Sequence, residues 1–415
     1  MNFSTGSRIH GMDAIRAIAM YLGVILHASI SYKQGFHNNF WVMDHEYTSY
    51  FFDIIYWWIH SFRMHLFFLI AGFFARLLYL KIGFKDFVKH RFIRIIIPFI
   101  LAVYLIVPIS KSIFNFYTNY YINHLDYSSS IISAKEVLIS WLSFNISGPI
   151  AHIWFLDNLI FFYIFFLIFL LLSRFKLINW ACTKIENLFI YFFSKSYGII
   201  GIALPIIPLM FLYKTLTPYV VTTLMPSPIQ LSYYGYFFAL GILLHKFIEH
   251  YFTYYRYKWL YLIAGSLCAI TTWVLVQYFT DNPATLTFLF KVLIKTLFVM
   301  SNFLLAFGFL GIMLKVFNRQ NDLVRYFSDS SFWVYLIHLP IIVILQSLLI
   351  GSAIPGSLRF ALVLIVTTCF CLVTYHFWVR YTIIGYFLHG RKYRIHKNKY
   401  VERKGLILES NQHAR

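Results

Sequence analysis

The chain has 415 residues, 60% of them hydrophobic and 21% aromatic, with only 12% charged. A soluble domain of this length needs a far more charged surface, so composition excludes one and implies an integral membrane protein. The formal charge of +20 does not imply a nucleic-acid partner, because the basic residues sit between apolar spans and in the tail rather than on one face of a soluble module.

The apolar blocks are too long for barrel strands, so the spans are expected to be helices. The first runs from about Met12 to Tyr32 and carries Asp13, Arg16 and His27. On a helix Asp13 and Arg16 share a face. Arg16 and His27 lie close to three turns apart, roughly 16 Å along the axis. Ionisable groups inside a span are costly and by default mark a functional site. Read alone, Asp13 and Arg16 fit an interfacial ion pair equally well, and His27 fits a buried polar residue with a partner. The span is not read as a removable signal peptide, since charge interrupts it and no clear small-residue cleavage site follows.

The polar loop from Phe36 to Tyr47 is rich in His but lacks a ligand pattern, so no metal is expected. The second span, about Phe51 to Leu80, contains Arg63 and His65. A basic amphipathic segment suited to a membrane surface follows. It leads through Arg91 and Arg94, which share a helical face, into a third span starting near Ile95 with Pro98 in its first turn. Arginine pairs suit phosphate because the guanidinium fork binds two oxygens, although basic residues at this depth also serve as topology anchors.

Ser110 to Ala151 reads as a long polar connection. The fourth span, from His152 to Leu172, holds Trp154 and Asp157. A basic segment, Ser173 to Ser196, precedes a fifth span with Pro205 and Pro208. The sixth covers about Leu231 to Leu244, the seventh Trp259 to Phe279, and the eighth Leu286 to Leu314. The ninth carries Tyr335 and His338, and the tenth ends near Phe387.

The expected fold is therefore all-α, a polytopic membrane protein of about ten transmembrane helices. Connections after the second, fourth, sixth and eighth spans are basic, as is the tail, which puts both termini in the cytoplasm. One transmembrane domain, 1–387, is followed by a basic cytoplasmic tail, 388–415, held near anionic lipid. The four cysteines have neither metal-like nor disulfide spacing. No HExxH, Gly-rich phosphate loop or G-x-S-x-G occurs. A secondary transporter of a small anionic or acylated solute would also carry Asp, Arg and His in its spans, but would often show repeats or paired broken helices, which are not found here.

Five motifs in chain order resemble the membrane acyltransferase 3 family. They are D-x-x-R-x-x-A with a later His (Asp13, Arg16, Ala19, His27); F-F-x-x-A-G-F-F (Phe67, Phe68, Ala71, Gly72, Phe73, Phe74); R-x-x-R-I with a following proline (Arg91, Arg94, Ile95, Pro98); H-x-W-F-L (His152, Trp154, Phe155, Leu156); and S-F-x-x-Y-L-x-H-x-P (Ser331, Phe332, Tyr335, Leu336, His338, Pro340). Ala71 and Phe332 depart mildly from the usual Ser and Tyr. The stretch I-H-S-F-R-M-H-L-F-F-L-I-A-G-F-F looks especially like the branch that modifies periplasmic glucan.

The resemblance implies an integral O-acyltransferase of the bacterial inner membrane. It would move an acetyl or succinyl group from cytoplasmic acyl-CoA, a substrate rather than a bound cofactor, to a hydroxyl of an envelope carbohydrate such as periplasmic glucan. Arg91, Arg94 and Arg16 would bind the acyl-CoA phosphates, and His27, with Asp13 and Arg16, would form the catalytic set. An imidazole with an ordinary pKa near 6.5 suits general-base work at neutral pH. Arg63, His65, His152, Trp154, Tyr335 and His338 would support the site, His65 and His338 being the rival bases. The oligomeric state is not legible.

Overall fold

The computed structural model describes residues 10–35, 41–143, 148–195, 197–248, 256–317 and 321–389. Every regular element among them is helical. Seven stretches are long and apolar enough to cross a membrane: Gly11–Tyr32, Tyr50–Ile122, Ala151–Leu172, Lys258–Asp281, Phe288–Val316, Asp322–Leu349 and Gly356–Val379.

Helix α1 (His10–Ser29) continues into a 3₁₀ turn, Ile30–Tyr32. Helix α2 (Tyr50–Arg91) is broken at Gly83, where φ is 76° and ψ is −179°. Only glycine adopts that conformation readily, and the chain doubles back there. Arg91 donates to the Phe74 carbonyl at 3.5 Å, and the Tyr79 and Phe87 rings are 6.2 Å apart. A straight helix would hold residues 74 and 91 about 25 Å apart. The basic segment expected along the membrane surface therefore starts the returning helix instead.

That return runs through a π-turn (Phe92–Ile96), α3 (Ile97–Leu101), a second π-turn (Ala102–Ile106), α4 (Val107–Tyr117) and a third π-turn (Thr118–Ile122). Pro98 and Pro108 each stand in the first turn of an α segment, as expected for Pro98, but each segment continues directly from a π-turn in one returning helix. Each lacks an N–H and would crowd the carbonyl four residues earlier. The helix widens before each one: Ile97 N–H bonds back to Phe92, and Val107 N–H to Ala102. The expected polar connection from Ser110 is thus helical as far as Ile122. It then holds α5 (Tyr127–Leu142), capped by Asp126. Hydrogen bonds from Ser129 hold the Asp126 carboxyl below its ordinary range. α5 lies on the α3–α4 rod, with Ser112 Oγ donating to Ala134 at 2.6 Å and Trp141 Nε1 to Val103 at 2.7 Å.

A 3₁₀ turn (Ala151–Ile153) leads into α6 (Trp154–Leu172). The basic segment beyond it is a helix, α7 (Lys176–Phe193), which exposes Leu177, Trp180, Leu188 and Tyr191. The expected fifth span is two short helices, α8 (Gly198–Ala203) and α9 (Ile206–Met210), parted at Pro205 for want of its N–H. Next come α10 (Pro228–Lys246), α11 (Lys258–Asp281), α12 (Phe288–Val316), α13 (Asp322–Leu349) and α14 (Gly356–Thr374). The D-N-P turn joins α11 to α12 as expected. The tenth span stops at the π-turn Tyr375–Val379 rather than near Phe387, and a short α15 (Ile383–His389) straddles the expected domain boundary. The rest of the expected tail, 390–415, lies outside the described residues.

α1 packs chiefly on α13 and α2. α2 also packs on α10, where a Cβ at Gly72 would lie 1.9 Å from the Phe238 carbonyl and one at Gly241 1.9 Å from the Leu69 carbonyl. Small residues let the two backbones touch. His65 meets Tyr233 and Phe73 meets His245, so α2 and α10 run in the same direction.

Candidate active site

One face of α1 links two polar regions. Asp13, Arg16 and Met20 line a cavity of about 400 Å³ at one end of the bundle. Its other walls include Phe67, Ala71 and Phe74 of α2, His90, Arg91 and Arg94 after the Gly83 turn, Phe155 and Leu156 of α6, and Ser328, Asp329 and Phe332 of α13. Three of the predicted arginines, distant in sequence, thus share one cavity. Arg16 is 3.7 Å from Asp13 and donates to Ser328 Oγ at 2.9 Å. Arg91 lies over the Tyr163 ring at 4.6 Å. The lining combines Arg16, Arg91 and Arg94, set against Asp13 and Asp329, with apolar walls, a mixture suited to a ligand with both a phosphate-bearing and an apolar part.

Further along the same face come Gly23 and His27. The His27 ring lies 5.3 Å from that of His338, which is 5.0 Å from that of His152. The indole of Trp41 stacks on His27 at 5.7 Å with an interplanar angle of 13°. Gln346 accepts from Trp41 Nε1 at 3.2 Å and donates to the Ala28 carbonyl at 3.0 Å, fixing both sides of the stack.

The tautomers follow from the partners. His338 Nδ1 faces the Tyr335 carbonyl at 2.8 Å, and carbonyls only accept, so Nδ1 carries the proton. His152 Nε2 faces the Leu336 carbonyl at 3.1 Å and carries its proton likewise. The opposite nitrogens, His338 Nε2 and His152 Nδ1, have no partner, nor does His27 Nδ1. Three imidazole nitrogens are thereby left for a ligand or for one another.

Tyr335 separates the two regions. Its hydroxyl donates to the His152 carbonyl at 2.8 Å, and its ring lies 6.0 Å from Phe155 of the cavity wall. Arg63 projects from α2 against Gly23, whose missing side chain makes room for it: a Cβ there would lie 1.9 Å from the guanidinium. Arg63 interacts electrostatically with His27, His152, His338 and His60.

Not every predicted residue joins the cluster. His65 bonds Tyr233 Oη at 2.8 Å in the α2–α10 seam. Asp157 is buried in α6 and does not line the cavity. Trp154 packs on Tyr234 with ring centroids 5.5 Å apart. Among the described residues, no group of three or more His, Cys, Asp and Glu side chains is arranged to hold a metal ion.

Sequence reasoning passed over His60, Tyr56, Gly23 and Trp41. The first two had a signal. Tyr56, His60, Arg63 and Phe67 repeat at helical spacing, as do the cavity residues Ala71 and Phe74 beyond them. His60 stacks on Tyr56 at 5.3 Å, and Lys33 sits 3.9 Å above the Tyr56 ring. Burial lowers the Lys33 ammonium to about 8, against the pull of Asp53. Trp41 had no such signal, because a loop carries no periodicity.

An acyltransferase domain family matches residues 9–376. The glucans biosynthesis protein C of Escherichia coli is 24% identical over 401 residues, covering 94% of this chain and 97% of that protein. Its Salmonella paratyphi A counterpart is 23% identical over 403 residues, covering 92% and 95%. Over 103 residues, 25% of this chain and 26% of the relative, identity to another Escherichia coli glucans biosynthesis protein C is 34%. No solved structure matches. With the family match running across nearly the whole chain and the helices long and apolar enough for several crossings, the chain belongs to the acyltransferase 3 family and is a multi-pass membrane acyltransferase.

Proposed function

We propose that the protein moves an acyl group, acetyl or succinyl, from cytoplasmic acyl-CoA to a hydroxyl of an envelope carbohydrate such as periplasmic glucan. The relatives' printed name supports the carbohydrate. The observation that carries the reading is the α1 face. It runs from the arginine cavity past Met20 and Gly23 to His27.

In this reading the chain crosses a bacterial inner membrane ten times with both termini in the cytoplasm. The basic connections and the common direction of α2 and α10 support it. Arg16, Arg91 and Arg94 bind the phosphates of CoA. The pantetheine arm passes Phe67 and Phe155 toward Tyr335. The roughly 16 Å between Arg16 and His27 is of the order that a thin arm of this kind spans.

The acceptor arrives from the opposite face, and Trp41 must yield to admit it. His27 takes the hydroxyl proton as the oxygen attacks the thioester carbon. The C–S bond then breaks, and His27 returns the proton to the CoA thiolate. Asp13 holds Arg16 in place for the donor.

Radiolabelled acyl-CoA with purified protein and envelope glucan tests this. Label should move to carbohydrate; a transporter would only carry it. His27→Ala should lose transfer by about 10²–10⁴-fold while donor binding survives. Arg94→Ala should mainly raise the KM for acyl-CoA. Near-wild-type transfer by His27→Ala, with His338→Ala inactive, would move the base to α13.

A further inference from the structure

We infer that Arg63 holds the oxyanion of the tetrahedral intermediate formed at His27. This rests on the acyl-transfer reading and deepens it by naming a second group that touches the reacting atoms.

Arg63 lies within α2, half-buried, with its guanidinium packed against Gly23 of α1. Its Nε has no hydrogen-bond partner, and among the described residues no carboxylate pairs with it. The groups it interacts with are the imidazoles of His27, His60, His152 and His338 and the phenols of Tyr56, Tyr234 and Tyr335. A guanidinium in a span is costly unless an anion meets it at some stage. Arg359, which is fully buried, shows the contrast: it is paired to Asp44.

The position is also specific. Arg63 presses on Gly23, one helical turn before His27 and so roughly 6 Å from it along α1. The cation therefore stands beside the proposed base, on the face that leads from the donor cavity.

The chemistry at that place generates an anion. The acceptor oxygen forms a bond to the thioester carbon, its proton goes to His27, and the carbonyl π pair moves onto the carbonyl oxygen. Arg63 N–H groups donate to that oxyanion. The pair then returns, the C–S bond breaks, and the thiolate takes the proton from His27. A preorganised cation in a site shielded from water stabilises such charge strongly, and loss of one donor of this kind costs about 10²–10³-fold in kcat.

The test compares wild type, Arg63→Gln, Arg63→Lys and Gly23→Ala as purified full-length protein, with acetyl-CoA and with succinyl-CoA. Arg63→Gln should lower kcat by about 10²–10³-fold with both donors and leave the donor KM within a few-fold. Arg63→Lys should recover part of the loss, since it keeps charge without the fork. Gly23→Ala keeps Arg63 but pushes its guanidinium aside, and a helical Ala carries no backbone penalty. It too should lower kcat without raising KM, and it decides the matter if Arg63→Gln does not fold.

Wild-type kcat per folded molecule in Arg63→Gln or Gly23→Ala would overturn the inference. A loss confined to succinyl-CoA would also overturn it, making Arg63 a clamp for a carboxylate on the donor. Absence of transfer by the wild type would sink the acyl-transfer reading itself, a separate failure.

Discussion

Arg359 has no exposed surface, although it stands in the first turn of α14. Its guanidinium pairs with Asp44, donates from Nε to the Ile354 carbonyl at 2.7 Å, bonds the Ser352 carbonyl, and lies 4.6 Å from the centre of the Tyr47 ring. One side chain thereby ties the loop that carries Trp41 to the α13–α14 connection. Removing one member of a buried pair leaves the other charge without compensation, at a cost of about 3–5 kcal/mol. Arg359→Met should lower the thermal midpoint in detergent sharply, and adding Asp44→Leu should recover much of the loss. A double variant no more stable than the single would show that the pair is not the source of the effect. If the loop loosens, the Trp41 stack on His27 loosens with it.

At the scale of elements, the turn at Gly83 decides where Arg91 and Arg94 go. Nothing lies within 4 Å of a Cβ built there, so a substitution meets no clash, only a forbidden backbone. Such strain costs about 1–3 kcal/mol. Gly83→Ala should relax the reversal, draw Arg91 away from Phe74, and spread the cluster formed with Arg16. The expected outcome is a raised KM for acyl-CoA with kcat little changed, measured by steady-state transfer. An unaltered KM would mean that packing between Tyr79 and Phe87 holds the reversal without glycine. The π-turn at Phe92–Ile96 belongs to the same device. It is the widening that lets the helix pass Pro98, and Arg94 sits within it.

For the whole molecule, sidedness governs every proposed role. If the arginine cavity opens to the cytoplasm, donor phosphates enter there and His27 faces the far half of the bilayer. A C-terminal alkaline phosphatase fusion should then be inactive and a fluorescent-protein fusion bright. The opposite pattern would invert donor and acceptor faces together. The parallel course of α2 and α10 requires an odd number of crossings between them. In the proposed ten-span topology the split α8–α9 pair would supply one of those crossings, although neither half is long enough to cross alone.

Composition and period were enough for part of this. An apolar chain with sparse charge and apolar blocks of this length forms a set of membrane helices, and spacings of three and eleven residues put Asp13, Arg16 and His27 on one helical face. Motif order carried the family. Tertiary structure decided the rest for three physical reasons. His27, His152 and His338 stand on separate elements more than a hundred residues apart, so no periodicity links them. Asp44 and Arg359 find each other across a loop, where charge alone names no partner. The reversal at Gly83 lies in a basic segment that local signals set along the membrane surface, and the π-turn before Pro98 leaves no mark on hydropathy; a backbone dihedral pair and a displaced hydrogen bond decide them.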